Sequence, residues 1–484
     1  MMRDLRDWLA EVERAGQLRR VEGADWDLEL GAIAHLNNRR GAPVALLFDR
    51  IAGYPPGFRI LTGASNNPAR LGLGLGLGPN LSPAELVRAL RGKPTAWAQA
   101  AKGFDPLVVQ DGPVRAHVEQ GATVDVTRLP APRWNERDGG RYLGTGCLVI
   151  TRDPETGWLN AASYRVMIHD ARSVGVLVLP GKHGRMHYEK WWERGRPCPV
   201  AISLGHDPVL SILGGIEIPL GVSELNVAGA IRGEPLEVLE SDLTGLPIPA
   251  YSEAVIEGFL QPNKLREEGP FGEFFGYYST DLPMAPVLDV ERVMHRADPI
   301  LIGSPPGKPP HDYSFWVSVL RSALVFDQLV AAGVPGVQGV WVFPFSGARM
   351  FQAVAIRQMF PGHARQAGVV AAQCRAGAQA GRYTVVVDED IDPTDLEEVM
   401  WAVATRSDPE RDIDILRRTW GGPVDPLAEC YPNQRLYTSR AIIDACRPYE
   451  KRDAFPPVAE PSPELRAQVL AKWRDLLAEA GGRG

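Results

Sequence analysis

Leu5, Trp8, Leu9 and Val12 recur at the spacing of one helical face and predict a helix from Asp4 to Arg14. A second helix is predicted ahead of Gly41, and Pro43-Val44-Ala45-Leu46-Leu47-Phe48 reads as a strand. Ser82-Pro83-Ala84-Glu85 joins a capping-box serine and glutamate to a proline at the first helical position, and Gly92 ends that helix. Residues 1–114 thus read as an α/β domain. From 115 to 305 short apolar runs alternate with turns such as Asp153-Pro154-Glu155-Thr156-Gly157, which predicts a strand-rich domain with one helix near residues 186–194. Within it, residues 158–167 read as one strand, continuing through 173–179 to Gly181-Lys182-His183. Ser304-Pro305-Pro306-Gly307-Lys308-Pro309-Pro310 is a stiff connector into a helix over 314–331, so 306–332 forms a linker. Residues 333–484 alternate strand and helix: a strand at 339–343, a helix near 350–358, a strand at 383–387 and a helix at 396–405. Ser462-Pro463-Glu464 opens a last helix with Leu465, Val469, Trp473, Leu476 and Leu477 on one stripe. That face must be buried, in its own chain or in a partner's.

Composition narrows the class. A chain of 484 residues, 45% hydrophobic and 23% charged, is an ordinary globular protein of two to four domains. No uninterrupted apolar run of about 20 residues predicts a membrane span, and the N-terminus has no signal-peptide core, so a cytoplasmic protein is expected. Cys147, Cys198, Cys374, Cys430 and Cys446 form no Cys-x-x-Cys pair, which fits a reducing compartment and argues against thiolate zinc. A net charge of −7 with pI about 5.8 argues against nucleic acid as a partner. Gly72-Leu73-Gly74-Leu75-Gly76-Leu77-Gly78 fails as a dinucleotide loop, because Leu77 stands where the third glycine belongs and no clear strand precedes it; a structural loop is expected.

The chemistry concentrates in Glu267-Glu268-Gly269-Pro270-Phe271-Gly272-Glu273-Phe274-Phe275-Gly276-Tyr277. A strand would send Glu268 and Glu273 to opposite faces, and Pro270 with the glycines disfavours a helix. A bent loop can turn both carboxylates into one pocket among Phe271, Phe274 and Phe275. Carboxylates sharing an apolar pocket raise the pKa of one of them, and a carboxyl protonated near neutral pH is a proton donor. This loop follows, in order, Asn160-x-x-x-x-Arg165, a His183 eighteen residues after Arg165, and Val222-Ser223-Glu224. The ordered set resembles the UbiD-type decarboxylases, which use prenylated FMN. Phe360-Pro361-Gly362-His363-Ala364 and the Asp390 to Arg406 segment extend the resemblance over nearly the whole chain.

The resemblance implies a mixed α/β fold: an N-terminal α/β region, a central split β-barrel that binds flavin, a linker helix and a C-terminal α/β oligomerisation domain. Loss of CO2 from an sp2 carbon leaves a carbanion that side chains cannot delocalise, so a cofactor is required. The family supplies prenylated FMN with Mn2+ (or Mg2+) and K+. Its metal ligands fall on Asn160, His183 and Glu224, a hard donor set suited to such ions. Further cofactor contacts fall on Ser163, Tyr164, Lys182, Gly215 and Ile216, and the family's C-terminal lysine finds only a poor match near Arg375. The catalytic trio falls on Arg165, Glu268 and Glu273, with Arg165 orienting the cofactor and Glu268 and with Glu273 as proton donor. His311 and Phe275 border the expected substrate pocket. The implied reaction is reversible, non-oxidative decarboxylation of an aromatic, heteroaromatic or α,β-unsaturated acid, by a homodimer or higher homo-oligomer supplied by a flavin prenyltransferase. An FMN-dependent oxidoreductase and a non-catalytic subunit of a carboxylase complex are the alternatives.

Overall fold

The computed structural model describes residues 2–278, 284–422, 424–428 and 437–477; Cys430 lies outside them. The fold is mixed α/β, built on three main sheets. The first helix, Leu5–Arg14, is capped by the Asp4 carboxylate and buries Leu5, Trp8, Leu9 and Val12 against the N-terminal sheet. That sheet orders Leu18–Glu22, Ala45–Asp49, Arg59–Thr62 and Ile300–Ile302. Its last strand arrives from far along the chain and pairs parallel with Arg59–Thr62, which stitches the N-terminal region to the centre.

Among the described residues the central sheet has nine strands and curls into a half-barrel. Its middle strand, Cys198–Leu204, is buried along its whole length because both faces are covered. Val200 and Ile202 join a core with Tyr188, while Ala201 joins another with Val209, Leu213 and Leu225. The helices on those faces number three, not the single one expected near 186–194: His183–Glu193, Pro208–Gly214 and Glu224–Arg232. The two missed helices are short, and Asp207-Pro208 and Ser223-Glu224, their caps, read equally well as turns between strands. The strand expected over 158–167 is two strands, Leu159–Ala162 and Arg165–Asp170, broken at Ser163-Tyr164. The break lets the first strand pair with Leu148–Arg152 and the second with Ser173–Leu177, at opposite parts of the sheet.

Helix Ser314–Ala331 matches its expectation and links the half-barrel to the C-terminal sheet. It is apolar enough to span a membrane by composition, yet 61% of it is buried inside the protein, with Trp316, Val317, Val319, Leu320 and Ala323 in one core. The C-terminal sheet orders Val337–Val342, Phe351–Ile356, Tyr383–Asp388, Tyr437–Ala445 and Ile413–Trp420. The helix expected near 350–358 is therefore a strand. It pairs on both sides and is buried on both faces, so its apolar residues show no alternation, and its alanines mimic helical composition. The glycine-leucine run at 72–78 also differs from expectation: helix Pro68–Gly74, capped by Asn67, occupies its first part. The final helix, Pro463–Lys472, is capped by Ser462 as expected, but Leu465, Val469 and Trp473 are exposed, so its apolar face is not buried in its own chain.

Candidate active site

Arg165 opens its strand just after the break at Ser163-Tyr164, and the Glu268–Glu273 bend follows the end of strand Ala254–Glu267. The bend is cradled by the turn at 135–140. Asp138 accepts from the amides of Asn135 at 3.0 Å and Gly272 at 3.3 Å, and Gly139 N–H donates to Pro270 O at 2.8 Å. A Cβ on Gly139 would fall 1.8 Å from the Gly269 carbonyl oxygen, so only glycine permits this approach. Burial raises the Asp138 carboxyl to about 6.

Arg165 is the hub. Its Nε donates to Glu268 Oε2 at 2.8 Å, and its Nη1 donates to Glu273 Oε1 at 2.7 Å. The sequence reading paired Arg165 with Glu268 alone; the guanidinium spans both carboxylates. Their surroundings differ: the Glu268 side chain is 0% exposed and that of Glu273 16%, so Glu273 is the more exposed of the two. Burial raises the Glu273 pKa, Arg165 pulls it back, and Glu268 raises it again. The Phe271 ring lies under the Arg165 guanidinium, 4.9 Å from Cζ, and packs on Tyr142 at 4.2 Å. The phenol of Tyr142 is raised by burial first and then by the charge of Glu268.

A second cluster lies along the break at Ser163-Tyr164. Asn160 Nδ2 donates to Glu224 Oε1 at 3.0 Å, and Ala161 N–H donates to Glu224 Oε2 at 2.8 Å. Tyr164 OH donates to Asn160 Oδ1 at 3.0 Å and accepts from Gly184 N–H at 3.1 Å, which ties the start of the His183–Glu193 helix to the same point. His183 stands beside this chain, its ring 4.7 Å from that of Trp158. Asn160 and Glu224 are thus in direct contact, and His183 joins them through Gly184 and Tyr164. Ser163 N–H donates to Gly214 O at 2.8 Å, and Trp316 packs against Gly215, with Ile216 following.

The donor chemistry fits a hard divalent ion and a phosphate. Glu224 is buried, its carboxyl pushed up to about 7 by desolvation, and its hydrogen-bond partners are neutral amides rather than a cation. Among the described residues no three His, Cys, Asp or Glu side chains cluster, so an ion here would complete its shell with the Asn160 amide and ligand oxygens. The His183 imidazole is kept neutral by burial first, then by the charges of Lys182 and Arg375. Lys182 feels burial, Glu217 and Arg349. Lys182 and Arg375 make a basic patch suited to a phosphate. Arg375 is therefore near the site although its local sequence match was poor. No sequence signal singled out Arg349, Tyr142 or Asp138, because each reaches the site only through folding of a remote segment.

His311 does not offer a free nitrogen to the cleft. Its Nε2 donates to Phe274 O at 2.9 Å, and Ser314 Oγ donates to Nδ1 at 3.1 Å. Burial lowers its pKa to about 4, so the ring is neutral. Phe275 is buried against Phe274, with ring centroids 4.2 Å apart. His311 thus clamps the carbonyl just after Glu273. His311→Ala is expected to lower kcat by about tenfold or more through misplacement of the acid, with little change in KM. A raised KM with kcat intact would instead make His311 a substrate contact.

The family model described as the UbiD 3-octaprenyl-4-hydroxybenzoate carboxy-lyase Rift-related domain matches residues 107–309, and the corresponding N-terminal and C-terminal domains match 9–90 and 314–445. The chain belongs to the UbiD family of carboxy-lyases. It is 31% identical to the pyrrole-2-carboxylic acid decarboxylase of Pseudomonas aeruginosa and 33% identical to the phenolic acid decarboxylase of a Streptomyces species, with 98% of each chain covered in both cases. Its fold is similar to that of the UbiD-class enzyme HmfF from Pelotomaculum thermopropionicum, solved with FMN: TM-score 0.84 at 28% identity, covering 95% of this chain and 98% of the other. An evolved dimeric form of that enzyme, solved with prFMN, gives a TM-score of 0.80 at 27% identity, covering 96% and 98%.

Proposed function

We propose that this protein decarboxylates an aromatic or heteroaromatic acid reversibly and without net oxidation, using prenylated FMN, with Glu273 as the proton donor. The observation that carries this reading is the single guanidinium of Arg165 held between a sealed carboxylate, Glu268, and a more exposed one, Glu273. The cofactor, when bound, supplies the electron sink for the carbanion left by CO2. Asn160, Glu224 and His183 would hold its metal, Mn2+ or Mg2+ with K+ nearby, and Lys182 and Arg375 would face its phosphate. Ser163, Tyr164, Gly215 and Ile216 would line its bed.

This chain's own residues then divide the work. Arg165 pairs with Glu268 and aims Glu273. Glu273, its pKa raised by burial, carries the proton at its carboxyl oxygen and delivers it to the carbon that loses CO2. In the carboxylating direction the same oxygen takes that proton back. Hydride transfer, the oxidoreductase alternative, has no use for two carboxylates around one arginine. Among the described residues Cys147, Cys198, Cys374 and Cys446 form no disulfide, which supports a reducing, cytoplasmic setting.

Co-expression with a flavin prenyltransferase is the first test. The purified protein is expected to carry prenylated FMN by mass and visible spectrum and to release CO2 from a panel of aromatic and heteroaromatic acids. A protein that binds plain FMN and exchanges hydride would overturn the reading. The exposed Leu465, Val469 and Trp473 face supports assembly as a dimer or larger homo-oligomer. Light scattering at micromolar concentration is expected to give at least a dimer, and a monomer would contradict it.

A further inference from the structure

The C-terminal domain brings to the acid loop a cation that the decarboxylation chemistry does not use. Arg349 follows the turn at 344–346, which is pressed onto Phe274-Phe275. Gly347 there has φ +65°, and a Cβ on it would fall 2.7 Å from Phe275 Cδ1 and 2.9 Å from Phe274 O. The packing therefore fixes Arg349 beside the loop, with Cζ 5.1 Å from the Phe274 ring centroid. Among the described residues its one side-chain partner is Gln379 Oε1 at 3.3 Å, and its Nε is buried without a partner. A half-buried guanidinium with no counterion is costly unless a ligand supplies one.

Tyr313, at the start of the linker helix, reaches the same ring. It meets Phe274 edge-on at 6.0 Å, His311 at 4.4 Å and Trp316 at 6.3 Å. Its phenol is shifted up by burial first; Arg349 pulls it back, Glu273 raises it, and no hydrogen bond contributes. Among the described residues the hydroxyl has no hydrogen-bond partner. Around Phe274, the residue next to the proton donor, the site sets an aromatic wall of Phe274, Tyr313 and Trp316, a guanidinium with no carboxylate partner among the described residues, and the Tyr313 hydroxyl.

We propose that Arg349 and Tyr313 form a subsite for a second oxygen-anion substituent, a carboxylate or phenolate, on the aromatic acid that this enzyme decarboxylates. The inference rests on the decarboxylase reading above and deepens it to a substrate class. Arg349 provides a planar fork of donors that matches a carboxylate, and Tyr313 adds a hydroxyl that can donate to either kind of oxygen. The aromatic wall accepts the ring between them and Glu273.

Equilibrium binding to the flavin-loaded protein tests it without requiring turnover. Calorimetry would compare benzoate with isophthalate and terephthalate, on wild type and on Arg349→Gln, Arg349→Lys and Tyr313→Phe. The better dicarboxylate is expected to bind wild type about tenfold or more tightly than benzoate, the gain of a charge-assisted bidentate contact. Arg349→Gln should erase that preference while keeping its flavin absorbance and its affinity for benzoate. Arg349→Lys should keep part of the preference, since charge remains and the fork is lost, and Tyr313→Phe should weaken it by about threefold or more. Equal binding of mono- and dicarboxylate by wild type would overturn the proposal. Loss of flavin from Arg349→Gln would also overturn it, because the guanidinium would then serve the cofactor phosphate beside Lys182. If no acid of any kind is decarboxylated, the parent reading fails, while the binding preference still reports on the subsite.

Discussion

Glu273→Gln is expected to keep its flavin and its affinity for the acid and to lose turnover by about 10²- to 10⁴-fold, the range for a removed general acid. The substitution preserves the shape that Arg165 grips at 2.7 Å, so the loss reflects the missing proton rather than a collapsed site. Wild type should also show the pH sign of a buried acid. Burial raises the Glu273 pKa, so the competent protonated form persists to higher pH than for an ordinary glutamate, and the rate falls as pH rises through that raised value. Deuterium exchange at the product's former carboxyl carbon uses the same proton and should fall in parallel with turnover. A variant that turns over near the wild-type rate would mean that the proton comes from elsewhere.

Glu224→Gln is expected to lose bound metal and, with it, flavin. Glutamine can still accept from Ala161 N–H, whose bond to the carboxylate is 2.8 Å, so the break between the two strands should survive and circular dichroism should be unchanged. What disappears is the one buried negative charge of the cluster. Metal affinity should fall by more than the roughly 10- to 100-fold that removal of an outer-shell partner brings, and the phosphate, no longer screened by the ion, should leave. A fully flavin-loaded Glu224→Gln protein would refute the assignment of Glu224 as a ligand.

The sequence revealed this site unevenly, for physical reasons. Residues whose role is set by local chain geometry were legible: the Gly-Pro-x-Gly bend between Glu268 and Glu273 excludes helix and strand, and Ser82 and Ser462 are caps the structure reproduces. Helix Ser314–Ala331 was legible because a proline-rich connector marks its start. The strand Phe351–Ile356 was misread because burial on both faces removes the alternation that identifies a strand. The helices Pro208–Gly214 and Glu224–Arg232 were missed because each is barely two turns, too short for a period of 3.6 to register. His311 was placed at the border of the substrate pocket, and no sequence pattern shows that both its nitrogens find partners, Phe274 O and Ser314 Oγ. Arg349 was invisible for a related reason: it matters only because the C-terminal domain folds back on Phe274.

The central claim is that a proton held on this chain replaces CO2 without net oxidation. One measurement tests it directly: a single incubation of the prenylated-FMN-loaded enzyme with the aromatic and heteroaromatic acid panel in D2O, followed by mass analysis of products and the flavin spectrum. The account predicts release of CO2, one deuterium at the former carboxyl carbon, and a flavin spectrum that returns to its starting form. Absence of CO2 release across the panel, or a product formed together with stoichiometric reduction of the flavin, would contradict it.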